Sequence, residues 1–255
     1  MTKTETPASN GIVGEQHHDI LIGNTTVDYH FPFIDDARFI FSPQKDLILK
    51  LAGSENTIPA IQKAMAELGI RNRLSVTRLI PSDDQQWRII PATGTASRTT
   101  SPTSVELLFD PNNQNTVDSL ASWGDRQIAH ELSHVARMEV TQLHTTLLDA
   151  LVSEGIGVYY EEFWQGEYAE SHWGHILDEQ GIVREWDIAR PELASLTFDY
   201  SDWFYGRQNG HPIYTGYSLG NTIVKAFMDA HPSISIAELS RLPSADIVKE
   251  GKFST

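Results

Sequence analysis

Two histidines four residues apart, with a glutamate beside the first, are the residues of this sequence best suited to chemistry: His130-Glu131-Leu132-Ser133-His134. On a helix, positions i and i+4 share one face, so His130 and His134 can aim imidazole nitrogens at one cation. Glu131 lies at the edge of that face. Its carboxylate reaches a water on such a cation without being a ligand itself. The spacing is HExxH, whose best-attested use is a hydrolytic zinc site. Ile128, Ala129, Leu132, Val135 and Ala136 make the surrounding helix apolar, and buried imidazole nitrogens need partners. A metal supplies them; polar neighbours in a core are the alternative.

A catalytic zinc takes three protein ligands and keeps a position open for water. The metzincin extension of the motif needs a glycine at position 137 and a histidine at 140. The sequence has Arg137 and Val140, which excludes it. The next candidate is Glu154 in LLDALVSEGIGVYY, where Leu147, Leu151, Glu154 and Val158 fall on one helical stripe. A carboxylate among apolar residues is costly unless paired or bound to a cation. Gly155 and Gly157 strip side chains from its neighbourhood, so this helix can approach the first one closely. A half-exposed glutamate near a helix kink is the plain alternative. Asp149 is another possible third ligand, but its place on a different face suits it better to supporting a ligand histidine.

HELSHVAR, then SEG nineteen residues on, resembles the gluzincin group of zinc metallopeptidases. More narrowly, HELSHVAR…LLDALVSEG…GYSLGNTIVKAF…LSRLPSADIV resembles a bacterial family of predicted zinc-dependent proteases, over about residues 120–253. The resemblance implies that His130, His134 and Glu154 are zinc ligands and Glu131 the catalytic base. It also implies a tyrosine or histidine that steadies the developing oxyanion. The linker between the two helices offers no tyrosine of the thermolysin kind. Arg207, His211, Tyr214 and Tyr217 cluster further on, in GRQNGHPIYTGYSLG, and a guanidinium, imidazole or phenol there can donate to an oxyanion. Tyr217 is the first choice, because GYSLG belongs to the resemblance, and His211 the second; an aromatic helix start packed in the core is the competing reading of Tyr217. The run FDYSDWFYG can line a cleft or pack in a core. His17-His18 and the His172/His175 pair are expected on the surface.

The elements that must carry these residues follow from periodicity. Residues 1–30 are rich in Thr, Ser, Asn and Gly and read as a loose arm. Asn56 is placed to cap a helix with Ile58, Ile61, Met65 and Leu68 on one face and Gly69 at its end. Leu74–Ile80 reads as a strand, Trp87–Ile90 as a possible second, Thr93–Thr103 as a loop, and Ser104–Phe109 as a strand. The last of these is the expected sheet edge for an extended peptide. From about Ser119 the pattern is helical: one helix through the histidine pair, one over about Thr145–Trp164, and one from near Tyr217. A Ser235/Glu238 capping box then opens a short last helix. The pattern reads as an α+β fold, and the resemblance to gluzincins implies that it is zincin-like. After the arm comes a single domain over 31–255, with an α/β part over 31–118 and a helical part over 119–255.

Composition bounds the partners. A net charge of −15 argues against nucleic acid, which needs cations to neutralise phosphates, and against anionic membranes. Without cysteine there is no thiolate nucleophile, disulfide or Cys-ligated metal site. The polar N-terminus lacks the apolar segment of a signal peptide, so a cytoplasmic protein is expected. The expected activity is zinc-dependent hydrolysis of peptide or protein substrates. A zinc-binding interaction or regulatory module without significant turnover is the alternative, and a purely structural helical domain the third.

Overall fold

The computed structural model describes residues 16–22, 25–31, 36–83, 85, 90–142, 144–206 and 210–251. It is a mixed α+β protein, with a small sheet in its first half and helices almost throughout its second. Strands β1 (Gln16–Ile22) and β2 (Thr25–Phe31) form an antiparallel hairpin. Short helices α1 (Ala37–Ile40) and α2 (Lys45–Ala52), then α3 (Ser54–Leu68), cross over to β3 (Leu74–Leu79), which runs parallel to β2. Strands β4 (Thr95–Ser101) and β5 (Ser104–Phe109) form a second hairpin, giving the order β1-β2-β3-β5-β4.

Four expectations change here. The stretch read as an arm is sheet from Gln16 onward. In β2 the alternate residues Thr25, Val27 and Tyr29 are buried, and the Tyr29 hydroxyl donates to the Ala52 carbonyl; polar residues on the opposite face had hidden this period of two. Helix α3 starts at Ser54 rather than after Asn56, with Gly53 as its N-cap, and ends at Gly69 in the left-handed conformation as expected. The supposed loop over Thr93–Thr103 contains β4. Because β4 lies outside β5, the sheet edge is Thr95–Ser101 and not Ser104–Phe109. The Trp87–Ile90 segment lies outside the described residues except for Ile90, which bridges Thr95.

The helical half begins with α4 (Thr116–Met138) and α5 (Leu147–Glu162). Helices α6 (Glu179–Ala189), α7 (Tyr200–Tyr205), α8 (Thr215–Ala230), α9 (Ile236–Leu239) and α10 (Ser244–Glu250) follow. The Ser235/Glu238 capping box opens α9 as read. Two main cores result. One joins the sheet, α3 and the apolar face of α4; the other gathers α5, α8 and the C-terminal helices. Helix α5 is buried almost all round, as expected of an element between cores. No helix among the described residues is long and apolar enough to cross a membrane.

Candidate metal centre

Helix α4 carries His130, Glu131 and His134, and α5 crosses it with Glu154 facing them; all four are buried. The crossing is close because Gly157 has no side chain. A Cβ there would lie 2.6–2.7 Å from the His130 imidazole. Gly155 serves a different contact from the one expected of it, since a Cβ on it would meet the Gly220 backbone of α8.

His130 Nε2 lies 3.2 Å from Glu154 Oε2, and His134 Nε2 lies 3.5 Å from the same oxygen. Three ligand atoms therefore converge, all within 4.8 Å of one another. Donors held ~2.0–2.1 Å from a tetrahedral zinc are separated by ~3.3 Å, so the observed spacings fit. The tautomer fits as well. His130 Nδ1 is 3.0 Å from Glu161 Oε2, and a carboxylate there fixes the proton on Nδ1. The Nε2 lone pair is then turned toward a second carboxylate, an arrangement that needs a cation between them. Burial disfavours charge on His130, yet Glu154 and Glu161 raise its pKa well above the usual value. Glu154 is opposed by burial too, but the His134 charge and bonds to His130, His134 and His144 hold it well below the carboxylate range. The cluster attracts positive charge, whether a proton or a divalent ion, and this His-His-Glu group can bind zinc.

Around the three donors lie residues that the sequence did not single out. Glu161, not Asp149, bonds a histidine of the cluster; burial pushes its carboxyl up to about 7 against the pull of His130. It stands two helical turns after Glu154 on the same face, and that i+7 spacing is the signal that was legible. Asp149 is occupied elsewhere, receiving bonds from the hydroxyls of Thr146 and Ser244. His144, in the linker between α4 and α5, has a left-handed backbone (φ 57°) and brings Nε2 3.0 Å from Glu154 Oε1. The Tyr200 hydroxyl donates to that same oxygen at 2.8 Å. Both Tyr200 and Tyr217 are pushed well above the usual phenol value, chiefly by burial.

Glu131 turns toward the edge strand. Ser97 donates to its Oε1 at 2.8 Å and Thr99 to its Oε2 at 2.9 Å. A cleft of about 720 Å³ opens between β4 and the aromatic side chains of the helical half, with His130, Glu131, His134 and Glu154 in its lining. Tyr200, Ser201 and Tyr205 of the FDYSDWFYG run line it, whereas Trp203 and Phe204 are buried in the second core. Tyr214 and Tyr217 reach the cleft. His211 does not. Its Nδ1 is 2.7 Å from Glu185 and its ring stacks on Trp203 at 3.9 Å, a pairing that takes it out of the catalytic set. Arg207 lies outside the described residues. His175, expected to be a free surface residue, bonds the buried Glu162 at 2.7 Å.

The family model of the predicted Zn-dependent proteases (DUF2268) matches residues 51–249. The chain belongs to that family. Members are described as zinc-dependent, in keeping with the buried His-His-Glu group. The match takes in the sheet from β3 onward as well as every residue of the centre, and so extends beyond the segment that the motifs had suggested. The chain is also similar to a solved structure, that of an aminopeptidase N family protein from Idiomarina loihiensis. The identity is 10%, the TM-score 0.44, and the alignment covers 93% of this chain. It covers 42% of the other protein, so the chain spans under half of that length. No curated protein matches the chain significantly.

Proposed function

We propose that this chain is a zinc-dependent metallopeptidase with a gluzincin-type site on a zincin-like fold, and that His130, His134 and Glu154 hold the metal. The observation that carries the reading is the convergence of two imidazole Nε2 atoms on one oxygen of Glu154, with a third carboxylate, Glu131, beside them in an open cleft. Zinc held there would supply an acidified water and polarise the scissile carbonyl. Glu131 is the chain's own proton carrier in this reading, placed to take a proton from water and give one to the leaving nitrogen. Ser97 and Thr99 orient its carboxylate, and each oxygen keeps lone-pair capacity beyond the single hydroxyl it engages. Tyr200, kept protonated by burial and seated on Glu154, is the donor best suited to the oxygen that gains negative charge. Tyr217, which also lines the cleft, and His144 are the other donors in reach. An extended peptide would lie along the outer edge of β4 beyond the Ile90–Thr95 bridge, on the strand that also holds Glu131.

A second reading, a zinc-binding module without turnover, draws on the hydroxyls already seated on both oxygens of Glu131. One variant separates the two. Glu131→Gln should bind zinc as the wild type does and lose ~10²–10⁴ in peptide hydrolysis. Equal turnover by wild type and variant removes Glu131 as the base. No turnover by either, with stoichiometric zinc, favours the binding module.

A further inference from the structure

The cleft carries a third apolar cluster that belongs to neither main core: Val158, Trp173 and Tyr214, with Ile90, Tyr205 and Tyr217 packed against it. All of these but Val158 line the cleft, beside Ile213, which is 50% exposed. Apolar and aromatic side chains around an open cavity, with few polar groups among them, are the usual composition of a ligand pocket. Trp173 is held there by its own anchorage. The buried Glu162 accepts from the Ser171 backbone and hydroxyl and bonds His175, fixing the loop on either side of that tryptophan.

Among the described residues, the charges of the cleft are committed. Its carboxylates among the described residues are Glu131, Glu154 and Glu161. The first is engaged by Ser97 and Thr99 and, on the peptidase reading, its remaining capacity is reserved for the proton it carries; the second is engaged by three histidines and Tyr200, the third by His130. The arginine among the described lining residues, Arg98, is paired with Glu106 at 2.5 Å. A substrate's α-amine needs a spare carboxylate, and its α-carboxylate a spare cation; a charged side chain needs one or the other.

We propose that the cleft takes an internal stretch of polypeptide, not a chain end, with a large apolar or aromatic side chain beside the bond to be broken. This rests on the peptidase reading and names its substrate class. The aromatic wall receives that side chain, and the edge of β4 receives the backbone.

The test reads binding apart from turnover. Zinc-loaded Glu131→Gln protein is titrated calorimetrically with acetyl-Ala-Ala-X-Ala-Ala-amide peptides in which X is Phe, Leu, Ala, Asp or Lys. The Phe and Leu peptides should bind ~10-fold or more tightly than the others. Unblocking either end should give no gain. Adding Ile213→Asp, a change at a half-exposed position that spares the fold, should bring the preference within about twofold. Equal affinity for all X, preference for a charged X, dependence on a free terminus, or no binding at millimolar peptide overturns the proposal. Wild-type cleavage of the same peptides is scored separately. A Phe preference in binding without any cleavage keeps the cleft assignment and sinks the peptidase reading.

Discussion

Glu161 determines how His130 presents itself. An imidazole whose Nδ1 proton is claimed by a carboxylate is oriented and more basic at Nε2, and losing such a partner typically costs 10- to 100-fold in metal affinity. Glu161→Gln should therefore weaken zinc binding by about that factor in a competition titration with a chelating dye. Asp149→Asn should leave zinc affinity unchanged, because Asp149 bonds Thr146 and Ser244 and no histidine. If both variants bind zinc alike, Glu161 has no part in orienting His130. Tyr200→Phe removes only a hydroxyl; turnover should fall ~10²–10³ with little change in KM. An unaffected kcat moves the donor role to His144. The residues of the centre that the sequence revealed are those tied to helical period: His130, Glu131 and His134 on one helix, Glu154 on an apolar stripe of the next. His144 and Tyr200 come from a linker and a short helix 10 and 46 residues from the nearer cluster residues they approach, and spacing carries no trace of that. Tyr217, the donor expected from the sequence, also reaches the cleft.

Strand β4 shows why an element of the site can be invisible to patterning. Its sequence, TASRTTS, lacks the alternating apolar residues that mark a half-buried strand. The period of two is present, written in hydroxyls. Thr95 accepts from Gln127, and Ser97 and Thr99 donate to Glu131, so the face turned to α4 meets polar groups rather than a core. A strand that borders a reactive centre need not be apolar, and composition then reads it as a loop. The α5 glycines were legible as close-approach positions, but not their separate partners. Three alanine variants divide those roles. Gly157→Ala places a methyl against the His130 ring, so zinc affinity should drop ~10-fold or more as the imidazole shifts. Gly155→Ala drives a methyl into the Gly220 backbone and should destabilise by ~1–3 kcal/mol in denaturant unfolding. Gly124→Ala, in α4 with nothing within 4 Å of the new atom, should stabilise by ~0.5–1 kcal/mol. A Gly155→Ala protein as stable as the wild type would mean that the α5–α8 crossing is looser than drawn.

At the scale of the whole molecule the candidate metal centre lies on the seam between the two cores. Helix α4 gives Ile128, Leu132 and Val135 to the sheet-side core, and α5 gives Leu147, Leu151 and Ile156 to the helical one. His130 and His134 hang from the first helix and Glu154 from the second. A cation held by all three ties the cores together, and it binds a geometry that exists only when both are folded. Arg137, fully buried on α4, makes a second tie: it donates to Ser153 of α5, to the Leu242 carbonyl and to Ser244. The protein therefore should not fall apart without metal, but should lose a defined part of its stability. With free zinc ~100-fold above its dissociation constant, linkage contributes ~2.7 kcal/mol. In a chain of this size that corresponds to a Tm about 5–10 °C higher than in excess chelator. Scanning calorimetry with zinc and with chelator measures the difference directly. His130→Ala should show the lower Tm in both conditions, because its site no longer closes. If chelator leaves the wild-type Tm unchanged, the three donors do not bridge the cores through a metal.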